Sequence, residues 1–111
     1  MLKRKSYPLN EAKKKLEFFC SYQERCHKEV EEKLKELGMI QSASQEIISQ
    51  LIQEDYLNET RFAKSFARGK FRTKNWGKNR ILREFKHRNI SEYNIKMGMQ
   101  ELTDSEYENS F

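Results

Sequence analysis

The apolar residues of this chain recur at helical spacing, and the whole pattern occurs twice. Leu16 and Phe66 stand 50 positions apart, Val30 and Ile81, Leu34 and Phe85, and Met39 and Ile90 each stand 51 apart, and Ile48 and Ile95 stand 47 apart. Such self-similarity marks repeated supersecondary units, each too small to bury its apolar faces well by itself. The shorter last interval is read as four extra residues in the second turn of the first unit.

Within the first unit Ala12, Leu16, Phe19 and Cys20 predict a helix from about Leu9 to Tyr22. Val30, Leu34 and Leu37 predict a second helix that starts near Cys26 and stops at Gly38, a residue suited to a left-handed C-terminal position. Hydroxyls in Ser42-Ala43-Ser44-Gln45-Glu46 offer caps for a third, with Ile47, Ile48, Leu51 and Ile52 as its buried side. In the second unit Asn58 caps a helix carrying Phe62, Ala63, Phe66 and Ala67 on one side. Trp76-Gly77 then marks a turn before Ile81, Leu82 and Phe85, and Ser91 caps a last helix with Ile95 and Met99 inside.

The expected fold is all-α: a basic tail over 1–8, one three-helix unit over 9–56, another over 57–102, and a remainder over 103–111, packed as an elongated, curved body. Composition agrees, since four glycines and one proline in 111 residues leave few helix breakers. No apolar run approaches the roughly 18 residues of a membrane span, and no secretory leader follows the charged start Met1-Leu2-Lys3-Arg4-Lys5. Cys20 and Cys26 are therefore expected as reduced thiols of a cytoplasmic protein, the first filling core and the second at a helix cap.

Charge is segregated along the chain. Residues 61–88 hold eleven Lys/Arg and one acid, Glu84, a net +10, while the remaining eleven cations and sixteen acids give −5. Solvated faces usually mix both signs, so a near absence of acids favours a polyanionic partner. On a helix Arg61, Lys64, Arg68 and Arg72 lie within about 80° of one another, with Phe62 and Phe66 pointing away. Arg80, Arg83 and His87 form a second stripe opposite Ile81 and Phe85, and the intervening loop adds Lys74 and Lys78. These nine residues are the candidate partner-binding set. Arginine forks suit nucleic-acid phosphates and an acidic protein groove equally, so three readings stand: a filament binder, a DNA-binding module with the helix after Gly77 in the major groove, and a helical scaffold for an acidic protein. Trp76 is read as structural, and the acidic stretch Glu24 to Glu59 as a solvated surface with Glu29–Lys33 or Glu31–Lys35 pairs.

Catalysis would need a nucleophile beside a base, paired carboxylates, a metal set or a phosphate loop, and none is evident. Cys20, Cys26, His27 and His87 are too few and too irregularly spaced for zinc, so no enzyme activity, metal or cofactor is expected.

The segment Tyr56-Leu57-Asn58-Glu59-Thr60-Arg61-Phe62-Ala63, with Phe66-Ala67-Arg68, Gly77, Arg80-Ile81, Glu84-Phe85 and Asn89-Ile90-Ser91, resembles the central motif of RecX proteins. Tyr22 to Leu34 resembles the first-unit motif of the same family, with Arg25-Cys26 where a His-Ser pair is common. A third three-helix unit is usual in that family; Leu102 to Tyr107 resembles its start, so a truncated or naturally short form is expected. The resemblance implies a non-enzymatic regulator of recombination, DNA repair and the SOS response. Such a protein lies along the RecA filament on single-stranded DNA and restrains RecA. This chain is further expected to bind DNA only weakly alone, to avoid membranes and to be monomeric.

Overall fold

The computed structural model describes residues 7–109, with side chains as far as Leu102. The basic run before Tyr7, and the side chains on which a further unit after Leu102 would turn, lie outside the described residues. Among the described residues the secondary structure is helical throughout: α1 (Leu9–Tyr22), α2 (His27–Glu36), α3 (Gln41–Gln53), α4 (Glu59–Arg72), α5 (Lys78–His87) and α6 (Glu92–Asn109). They form two compact units that divide between Asn58 and Glu59, with Leu57 closing the first core.

The first unit packs Ala12, Leu16 and Cys20 of α1 against Val30 and Leu34 of α2 and Ile47 and Leu51 of α3, all nearly or fully buried. Tyr7, Phe19 and Met39 line the rim of this core. Cys26 precedes α2, buried, and its N–H donates to Glu29 Oε1 at 3.0 Å. Glu29 thus turns its carboxylate to the helix start, where it complements the positive end of the dipole, and Lys33 pairs with Glu36 at 3.7 Å instead. Lys13 joins α1 to the end of α3 through Glu54 at 2.9 Å. That hydrogen bond, more than the charge of Glu54 or Glu17, holds the ammonium above the ordinary lysine range.

From the start of the second helix to the start of the third, the two units repeat the same backbone hydrogen bonds. Val30 N–H donates to Cys26 O at 3.2 Å and Ile81 N–H to Gly77 O at 3.2 Å; Met39 N–H donates to Leu34 O at 3.1 Å and Ile90 N–H to Phe85 O at 3.0 Å. Gly38 and Asn89 occupy the same left-handed position, at φ 77° and 59°, the second tolerated because asparagine is among the few side chains that visit this region readily. Ser44 N–H to Ile40 O and Ile95 N–H to Ser91 O, at 2.9 and 2.8 Å, extend the correspondence to the starts of α3 and α6.

This register corrects the expected four-residue insertion in the first unit. α3 and α6 begin at Gln41 and Glu92, the same interval that separates α2 from α5, so Ile47 corresponds to Gly98 and Leu51 to Leu102. The reason is a close approach. A Cβ on Gly98 would lie 2.9 Å from Ala63 O of α4 and 3.0 Å from Phe85 Cζ of α5. The second unit therefore has no side chain where the first has isoleucine, and a comparison of apolar letters slips past the gap. Ile95 and Met99 are half-buried, and Gly98 and Leu102 take the inward positions.

The start of α3 also differs from expectation. It begins at Gln41 without a side-chain cap, so Ser42 and Ser44 lie inside its first turn, and Ile52 is exposed rather than buried. Ser91 does cap α6: its Oγ accepts from Asn94 N–H at 3.2 Å.

Gly98→Ala tests the close approach by its sign. In an unstrained helix the change would stabilise by about 0.8–1 kcal/mol, whereas overpacking against backbone costs about 1–3 kcal/mol. Urea denaturation is expected to show a lower midpoint for the variant; a higher one would mean that α6 does not approach α4 so closely.

Candidate cationic surface of the second unit

The apolar stripes decide where the cations go. On α4 Phe62, Ala63 and Ala67 are buried, and on α5 Ile81 and Phe85 are fully so. A helix that buries one stripe turns the opposite one outward, which leaves Arg68 and Arg72 on α4 and Arg80, Arg83 and His87 on α5 exposed. Arg61 and Lys64 are half-buried, and Lys74 and Lys78 stand exposed in and after the loop.

These residues do not form one uniform stripe. Arg68 Nη1 is 2.8 Å from Glu101 Oε1 of α6, and Thr60 hydrogen-bonds Asn94 on the same side, so this flank of α4 is where α6 docks. The guanidinium of Arg68 therefore already holds a carboxylate of its own chain.

A second group gathers around Trp76. The indole is half-buried and meets Phe66 edge-on, centroids 6.0 Å apart at 79°. Phe66 in turn contacts Phe62 at 5.3 Å and the buried Phe85 at 5.6 Å, so an aromatic chain runs from the core of the unit to its surface. Arg80 lies 3.9 Å from the Trp76 ring centre and Lys70 Nζ 4.9 Å from it. Arg88 sits 5.1 Å from the Phe66 ring and pairs with Glu84 at 2.9 Å. Cations held over ring faces keep their charge while losing freedom, so these side chains are held in place at the surface.

Trp76 thus has a structural role, as expected, yet it also fixes the orientation of Arg80. Sequence reading missed Lys70 and Arg88. Lys70 lies four residues after Phe66, a spacing that stacks an ammonium over a ring on one helix, and that is the signal that would have found it.

Residues 58–99 match the family described as RecX, second three-helix domain. Most of the second unit is thus similar to a RecX three-helix domain. The chain is also 32% identical over 89 residues to a regulatory protein RecX of Lactobacillus gasseri, an alignment covering 80% of this chain and 33% of that relative. It spans about a third of the length of that relative. No solved structure matches it. Among the described residues no helix is long and apolar enough to cross a membrane.

The Arg68–Glu101 pair predicts an asymmetry among charge reversals. Arg68→Glu sets two carboxylates against each other and is expected to lower the thermal midpoint, the loss of stability being in the range of a surface pair, about 0.2–1 kcal/mol. Adding Glu101→Arg should restore much of the loss, and Arg83→Glu alone should leave the midpoint near the parent value. Equal midpoints for Arg68→Glu and Arg83→Glu would show that the pair does not hold α4 to α6.

Proposed function

We propose that this chain is a non-catalytic regulator that docks the cationic face of its second unit on the RecA–DNA filament and so restrains RecA in recombination and DNA repair. The observation that carries this reading is the net +10 of residues 61–88, with Arg80 and Arg83 exposed on α5. An extended polyanion or an acidic filament groove complements such a face, and charge of this kind speeds encounter as well as holding the complex. The relative's description as a regulatory protein RecX supports the same partner. The buried thiols of Cys20 and Cys26 suit a reducing cytoplasm. On this reading the protein works there as a monomer, with Arg61, Lys64, Arg72, Lys74, Lys78, Arg80, Arg83 and His87 at or beside the contact and Arg68 bracing the unit from within.

Cosedimentation with RecA assembled on single-stranded DNA, with RecA ATPase measured in parallel, tests the reading. The parent chain should be retained by the filament, and the Arg80→Glu, Arg83→Glu variant should need at least ten-fold more protein for the same retention and inhibition at unchanged helix content. Retention of the double variant at the parent concentration, or better retention on naked DNA than on the filament, would contradict it. The second result would favour insertion of α5 into a DNA groove.

A further inference from the structure

The first unit carries a feature that the filament reading does not use. One side of α1 and the adjoining part of α2 enclose an open groove of about 740 Å³. Tyr7, Phe18, Phe19 and Tyr22 supply its rings, and Lys14, Lys15, Arg25 and Lys33 its charges; among the described residues no acid lines it.

Two of these rings are exposed in a way a core does not explain. Phe18 and Tyr22 are 75% and 74% exposed and stand one helical turn apart on α1. The other two are already faced by cations. Arg25 lies 3.7 Å from the Phe19 ring centre and is fixed there by donating from Nε to Phe19 O at 2.9 Å, while Lys15 Nζ is 5.0 Å from the Tyr7 ring. The groove therefore presents two uncovered rings between positioned cations. Among the described residues aliphatic anchors for a helix-in-groove partner are lacking, since Leu37 is the one aliphatic side chain lining the groove and is itself 8% exposed.

Rings with accessible faces interleaved with lysine and arginine are what single-stranded nucleic acid uses: bases stack on the aromatics and phosphates follow the cations. We propose that this groove of the first unit binds single-stranded DNA, with Phe18 and Tyr22 as stacking platforms and Lys14, Lys15 and Arg25 on the backbone. The choice of DNA over RNA rests on the reading of the chain as a RecA regulator; the stacking site itself rests on the groove. It would let the chain hold a single strand with one unit and leave the cationic face of the other for the filament.

The test is a fluorescence-anisotropy titration without RecA, using labelled dT20, rU20 and an abasic oligomer of the same length. It is run in the Arg80→Glu, Arg83→Glu background so that the second unit does not mask the groove. Phe18→Ala, Tyr22→Ala removes two exposed rings, and circular dichroism checks that the helices persist. The expected result is dT20 affinity at least ten-fold weaker in the ring-deleted variant, with little change on the abasic oligomer. Unchanged dT20 affinity overturns the proposal, as does an equal loss on the abasic oligomer, which would leave only charge. Preference for rU20 over dT20 overturns the choice of DNA. A ring deletion that abolishes self-association in sedimentation, with no effect on dT20, assigns the groove to a second copy and also overturns it.

Discussion

Phe85 is the side chain on which the second unit depends. It is fully buried, meets Phe66 of α4 at 5.6 Å, and lies so close to Gly98 of α6 that no side chain fits there. One ring therefore engages all three helices. Full burial of a phenylalanine contributes about 1.5–3 kcal/mol, a large share of what a unit this small can gain from its core. It also fixes the rotation of α5, and with it the outward direction of Arg80 and Arg83. The cationic face is in that sense a consequence of the core. Leu34, its counterpart in the first unit, is buried in the same core as Ile47, which stands where the second unit has Gly98.

The surface of the second unit is more ordered than a run of cations would suggest. Aromatic contacts lead from Phe85 through Phe66 to Trp76, and Arg80 and Lys70 rest on the far ring. Because the indole is anchored from below, the cations above it are placed and not merely present. A freely solvated lysine loses rotamer freedom on binding, whereas a guanidinium already held over a ring has less to lose. On the proposed function this is what separates a docking surface from a charged one.

Much of the fold was legible in the residues, for reasons that can be named. α1 spans Leu9–Tyr22 as its apolar spacing predicts, Gly38 adopts the left-handed conformation expected of a helix stop, and Ser91 caps α6. Local chemistry settles all three. What stayed hidden depends on contacts between helices. Gly98 is an inward position without a side chain, so apolar spacing alone pairs Ile95 with Ile48 and implies an insertion. Arg68 belongs to the expected stripe on a helical wheel, but the wheel cannot show that Glu101 stands across from it. Phe18 and Tyr22 fell outside the apolar stripe of α1, and only the arrangement of α1 beside α2 reveals them as the exposed rings of a groove.

On the proposed function, the face built on Trp76, Arg80 and Arg83 meets the filament. Hydrogen–deuterium exchange of the chain, free and bound to RecA on single-stranded DNA, reads that contact residue by residue. Slowed exchange across the loop 73–77 and helix α5, with α2 and α3 of the first unit little changed, is the predicted result. Slowed exchange in α2 and α3 alone, with 73–87 as in the free chain, would show that the first unit makes the contact instead.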